Sequence, residues 1–220
     1  FEVDKAVKND IYQWCVKGEP LNYAAQWQII TLMNTLISMD SRINSIEIHN
    51  LSDDSVLIAA RSGAHLDVRG ARLDRWFARG TGLQSNLVFL REENELLAIH
   101  QIHRFDDKLP IAVVVARFRP YQLQNVLDEI KTVPEETILV FNDQNELLEA
   151  DYGTTWDIGA ETVEAVRSEL ASGERKEGSY HNQFWFYRSV DNGKMQVLLT
   201  VPNKTIVAAL CPTVASCILV

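Results

Sequence analysis

The period of the apolar residues changes repeatedly along this chain, and each change marks an element. Val3, Val7, Ile11 and Trp14 lie on one face of a first helix, which Gly18 and Pro20 interrupt. Leu21, Ala25, Ile29, Leu32, Leu36 and Met39 recur at steps of three and four and predict a longer second helix with one buried side. After Arg42 the period falls to two. Ile46 and Ile48 alternate with polar residues, Ser52 to Ser55 supply turn chemistry, and "VLIAA" resumes the apolar run, so a β-hairpin is expected. A helix is predicted from Asp67 to Ala78, closed by Gly80 and Gly82. Three strands, "LVFLR", "LLAIHQIH" and "IAVVVARF", follow it.

The second half repeats that order. "YQLQNVLDEIKTV" has Leu123, Val126, Leu127 and Ile130 at helical spacing and stops before Pro134. "TILVF", the turn "NDQN" and "ELLEA" predict another hairpin, a helix runs from Ala160 to Ala171, and two long strands, "SYHNQFWFYRSV" and "MQVLLTV", flank Asp191-Asn192-Gly193. The expected fold class is α+β: a long N-terminal helix followed by two PAS-like antiparallel-sheet units in tandem, each with helices packed on its sheet. The boundaries read as N-terminal helices over 1–44, a first unit over 45–119, a second over 120–204, and an apolar tail over 205–220.

That tail, "IVAALCPTVASCILV" from Ile206 to Val220, carries no charge after Lys204. A membrane-spanning helix needs about 20 apolar residues, and the tail supplies most of that length, so it is expected to begin a transmembrane helix. A buried C-terminal helix is the alternative. The start, Phe1-Glu2-Val3-Asp4-Lys5, has neither an initiator Met nor the features of a signal peptide, and is expected to be internal to a longer protein.

Composition narrows the function. Thirty Asp and Glu against 21 Lys and Arg leave a net charge of -9, which argues against a surface made to coat nucleic-acid phosphates. Cys15, Cys211 and Cys217 form neither a C-x-x-C motif nor a disulfide framework. No G-x-S-x-G, P-loop or H-E-x-x-H motif is present, so no catalytic residue, metal site or cofactor is assigned.

One island of the acidic chain is basic. Arg69, Arg72, Arg75 and Arg79 fall within one arc of the helix predicted from Asp67, and Trp76 stands beside them. Guanidinium groups suit carboxylates or phosphates, and an indole suits the apolar part of the same ligand; a solvated face paired with nearby acids is the plainer account. His100 and His103, with Asp106 and Asp107 after them, have metal-ligand chemistry. Residues three apart on a strand face opposite ways, so those histidines are expected to line a pocket singly rather than share an ion. The candidate ligand-binding residues are therefore Arg72, Arg75, Trp76, His103 and Asp106.

The stretches "INSIEIHNLSDDSVLIAARSG", "LDRWF", "IAVVVARFRPYQLQNVLDEI" and "ETILVFNDQNELLEAD", in this order behind a long helix, resemble the double Cache region of bacterial transmembrane receptors. They are most like the sensors of Gram-positive histidine kinases and of membrane-anchored AraC-type regulators. The resemblance implies an extracytoplasmic sensor of a small anionic or amphoteric metabolite, without catalysis of its own. It also implies flanking transmembrane helices, a homodimer through the N-terminal helix, and a ligand held in the membrane-distal unit. One such sub-family binds amino acids through an Arg-x-Trp-Tyr pattern; here Arg75-Trp76-Phe77 departs from it in spacing and in the missing hydroxyl. A cytosolic PAS-like regulatory module and an α+β hydrolase are the competing readings.

Overall fold

The structure is a computed structural model that describes residues 5–16, 21–53, 55–67, 87–92, 94–104, 109–151, 168, 177–180, 182–190 and 194–206. Contacts divide the chain into two compact units, Phe1–Gln122 and Leu123–Val220.

The first unit opens with helices α1 (Lys5–Val16) and α2 (Leu21–Met39). The buried line of α2 is Ala25, Ile29, Met33 and Ile37, spaced four apart. The expected line lay slightly off it: Leu32 and Leu36 flank the buried row and Met39 is exposed. Arg61 closes the end of this helix. Its Nη2 donates to the carbonyls of Ile37 (2.9 Å) and Asp40 (3.0 Å) and its Nε to that of Ile43 (3.1 Å), so it meets a carbonyl of the last helical turn and ties the helix end to the start of the first strand.

Six strands follow: β1 (Ile43–Asn50), β2 (Val56–Ala60), β3 (Gly63–Asp67), β4 (Leu87–Glu92), β5 (Glu95–His103) and β6 (Pro110–Phe118). They form one antiparallel sheet in the order β3-β2-β1-β6-β5-β4. Strand β3 occupies residues that sequence patterning left unassigned up to Asp67, where a helix was expected to start. It extends the hairpin outward, pairing Leu57 with Leu66 and Ile58 with His65. The rest of the predicted helix, 68–78, lies outside the described residues. Strand β6 is central and buried on both faces, which is why its sequence is almost continuously apolar.

The two faces of this sheet differ. Ile46 and Ile48 of β1, Leu57 and Ala59 of β2, and Ala112, Val114 and Ala116 of β6 pack with Ile11, Trp14, Ile29, Met33 and Ile37 of the helices into one core. Fully burying each such aliphatic side chain stabilises the fold by about 1.5–3 kcal/mol. The opposite face carries a separate apolar cluster of Val88, Leu90, Leu97, Ile99, Val113 and Val115.

The second unit has helix α3 (Gln122–Ile130) and strands β7 (Thr137–Asn142), β8 (Leu147–Asp151), β9 (Glu177–Tyr180), β10 (Gln183–Val190) and β11 (Met195–Pro202), in the order β8-β7-β11-β10-β9. That is the order of the first sheet without its extra edge strand β3. The β7–β8 turn is built by Asn142, whose Oδ1 accepts the N–H groups of Gln144 and Glu146, while Asn145 takes a left-handed backbone (φ 61°). The long strand predicted over "SYHNQFWFYRSV" is broken into β9 and β10. Asn182 sits between them with φ 64°, a conformation asparagine tolerates and most residues avoid. Within β10, Trp185 is buried with Leu139, Phe141 and Leu198, and Phe186 on the other face is partly exposed.

Among the described residues, no helix is long and apolar enough to cross a membrane. The tail expected to begin such a helix lies, from residue 207 onward, outside the described residues, as does the helix expected from Ala160 to Ala171 apart from residue 168.

Candidate functional site

Register decides what meets on the face of the first sheet turned away from the helices. Pairing of Ser45 with Arg117, Glu47 with Val115, and His49 with Val113 puts all six side chains on that face, since directly opposed residues of antiparallel strands point the same way. Gln101 of β5 pairs with Val113 and extends the His49 row. The face is therefore apolar through Val113, Val115, Ile99, Leu97, Val88 and Leu90, with a polar row set into it.

His49 and Gln101 are each 6% exposed. Burial at this level calls for hydrogen-bond partners. The His49 Nε2 lies 3.0 Å from Glu47 Oε2, and Arg117 Nε donates to Glu47 Oε1 at 2.7 Å. Through Nη1 the same guanidinium reaches Glu92 (3.2 Å) and Glu95 (3.4 Å), the latter also accepting from Asn44 Nδ2. Arg117 thus ties β6 to β1, β4 and β5. Burial pushes the Glu47 carboxyl up, but the hydrogen bond from His49 and the charge and hydrogen bond of Arg117 outweigh it, so Glu47 is held below the usual carboxylate range.

Among the described residues, several carboxylates gather around one arginine on this face. Arg117 faces three carboxylates, of which Glu47 is buried deepest and Glu92 is the most open to solvent.

Of the residues expected from sequence, His103 is half-buried at the end of β5, past a register shift from Ile102. Arg72, Arg75, Trp76 and Asp106 lie outside the described residues. Among the described residues, no group of three His, Cys, Asp or Glu is placed to hold a metal ion. Sequence reasoning passed over Glu47, His49, Gln101 and Arg117. The available signals were the period of two in "IEIHN", which puts Glu47 and His49 on one face, and Arg117 interrupting an apolar run.

No family model and no curated protein matches the chain. Solved structures do. The extracellular domain assigned to histidine kinase rpHK1S-Z16 aligns with a TM-score of 0.58 at 11% identity, covering 92% of this chain and 86% of that one. The ligand-binding domain of the Campylobacter jejuni chemoreceptor Tlp3 in complex with L-norvaline aligns with a TM-score of 0.55 at 13% identity, covering 92% and 81%. A sensory box/GGDEF family protein from Vibrio parahaemolyticus gives 0.53 at 9% identity, covering 90% and 86%. Two antiparallel sheets of shared strand order, N-terminal helices, and alignment along almost the whole chain establish that this protein has the tandem PAS-like, double Cache fold of these sensory domains.

Proposed function

We propose that this chain is the extracytoplasmic sensing region of a membrane signal-transduction receptor, and that it binds a small amphoteric metabolite on the face of its first sheet turned away from α1 and α2. The observation that carries the reading is the buried polar row of Glu47, His49, Gln101 and Arg117 set into an apolar face. A zwitterion suits this chemistry. Its ammonium suits the carboxylates of Glu47, Glu92 and Glu95, its carboxylate suits guanidinium groups such as those the sequence supplies at Arg72 and Arg75, and an aliphatic side chain suits Val88, Leu90, Leu97 and Ile99. The norvaline and isoleucine complexes of the Campylobacter jejuni chemoreceptor make aliphatic amino acids the first compounds to try. On this reading the segment performs no catalysis. Its output module is a kinase or a transcription regulator, and the ligand acts by shifting an equilibrium between two arrangements.

A thermal-shift screen of amino acids, dicarboxylates, sugars and peptides tests it. A ligand at 100 times its dissociation constant stabilises by about 2.7 kcal/mol, equivalent to roughly 5–10 °C for a chain of this length. The stabilisation should vanish in Gln101→Ala and in Arg75→Ala and persist in Thr200→Val of the second unit. A compound that stabilises all three variants as it does the parent would place binding elsewhere.

A further inference from the structure

Strand β6 is followed by Arg119-Pro120-Tyr121-Gln122, and these four residues form a tight turn in which the Gln122 N–H donates to the Arg119 carbonyl at 3.3 Å. Pro120 stands at its second position, where the ring already fixes the φ that the turn needs. Tyr121 stands at its third with φ 63°, the backbone of a type II turn. Glycine or asparagine ordinarily fills that position, because a larger side chain there crowds the backbone. The same residues and the same hydrogen bond also make a type I turn, in which the third residue takes a negative φ that tyrosine adopts freely. Local chemistry therefore favours the turn form that the structure does not show.

Contacts on both sides oppose that preference. The Arg119 N–H donates to the Arg42 carbonyl at 2.8 Å, which ties the start of the turn to the residue before β1. Asn94 Nδ2 reaches Tyr121 Oη at 3.5 Å, the long limit of a hydrogen bond. Asn94 sits in the tip of the β4–β5 hairpin between Glu92 and Glu95, and Arg117 Nη1 holds both of those carboxylates, at 3.2 and 3.4 Å. One guanidinium of β6 thus sets the hairpin tip, and the tip touches the turn that follows β6.

We propose that this turn is the switch by which the polar row reports its occupancy. With Glu92 and Glu95 on Arg117 the turn is type II. When they turn to a bound ammonium the tip shifts, Asn94 leaves Tyr121, and the Pro120–Tyr121 peptide flips to type I. This deepens the receptor reading, on which it rests, by giving the site its moving part. Glu92 is the most exposed of the three carboxylates, and it and Glu95 lie farther from Arg117 than Glu47 does, so these two exchange partners while Glu47 stays. A switch requires two discrete arrangements, and a peptide flip supplies them without breaking the Gln122–Arg119 hydrogen bond. The long contact from Asn94 opposes an unfavourable φ, so a small displacement of the tip decides between them. Helix α3 begins at Gln122, and the flip re-aims the chain at that point.

No ligand is needed to test this. Glu92→Gln/Glu95→Gln removes the charges that hold the tip to Arg117 and leaves Glu47 in place, and Asn94→Ala removes the tip's contact with Tyr121 at an exposed position. NMR chemical shifts of the residue 121 backbone, which report the sign of φ, are compared in the parent and in both variants. The parent should show a positive φ, and each variant should lower the ratio of type II to type I turn at least about fivefold. Tyr121→Gly added to Glu92→Gln/Glu95→Gln should restore the positive φ, since glycine takes it without help from the tip. A negative φ in the parent overturns the proposal, and so does a Tyr121 signal that neither variant moves. A shift in Asn94→Ala with none in Glu92→Gln/Glu95→Gln overturns it equally, because the polar row would then have no hold on the turn. A turn that stays put refutes the switch and leaves the binding site standing, whereas a thermal-shift screen without a hit, beside a turn that flips, refutes the site alone.

Discussion

Replacing Arg117 with Met removes a guanidinium while keeping most of its apolar stem, and so isolates the charge that holds Glu47. The Glu47 side chain is 14% exposed and its Oε1 accepts from Arg117 Nε at 2.7 Å. Removing one partner of a buried ion pair costs about 3–5 kcal/mol, because the remaining charge is stranded. At about 2–4 °C per kcal/mol for a chain of this length, the midpoint should fall by roughly 6–20 °C. The pH dependence gives the sharper test. In the parent, Glu47 is held below its ordinary pKa, so it contributes stability above the ordinary carboxylate range and loses it as pH falls through the folded value. Without Arg117, burial is opposed mainly by His49 and Glu47 moves up. A raised carboxyl destabilises at neutral pH and is relieved when it protonates, so the mutational loss should be largest near pH 7.5 and smaller near pH 4.5. Arg117→Met/Glu47→Gln should recover much of the loss at neutral pH, since the carboxylate left most deeply buried by the loss of Arg117 is then neutral. Urea unfolding at both pH values reads these differences. An equal loss at the two pH values, or a double variant no more stable than Arg117→Met, would show that the pair is not what holds these strands.

Three other outcomes are expected. A Cβ at Gly178 would lie 2.6 Å from Cζ2 and 2.7 Å from Cε2 of the buried Trp185 indole, so Gly178→Ala should destabilise by about 1–3 kcal/mol in denaturant unfolding; an unchanged midpoint would contradict that packing. Burial, and then the nearby Asp53 charge, push the Cys15 thiol up to about 12. At pH 8.5 the native chain should leave the Cys15 peptide unalkylated by iodoacetamide and label it once denatured, and equal labelling rates would count against its burial. Asp40 is held at about 2 by hydrogen bonds from the Arg42 side chain and backbone. Its contribution is present above its ordinary value and is lost as pH falls toward 2, so Asp40→Asn should flatten the acid limb of the stability curve there, while an NMR titration midpoint near 4 for Asp40 would refute the assignment.

Local chemistry made much of the fold legible before any tertiary contact was known. The apolar spacing of α2, the run "IAVVVARF" of a strand buried on both faces, and the turn residues around Asn142 each act over a few positions, and each marked its element correctly. The repeated element order then pointed to two PAS-like units. Where patterning failed, short-range signals were weak or concealed: β3 is five residues opening with a glycine, and the break between β9 and β10 rests on one left-handed asparagine inside an otherwise strand-like run. The polar face was a different matter. Glu47 and Arg117 are 70 residues apart, and nothing local tells either one of the other. Sheet order places β6 beside β1, and register sets Ser45 opposite Arg117, close enough for the guanidinium to reach Glu47 on one side and Glu92 and Glu95 on the other. A one-residue slip would turn that whole row to the helix-covered side. Sequence periodicity thus determined which segments become helices and strands, because that choice depends on neighbours a few residues away; only the pairing of distant strands decided which charges share a face.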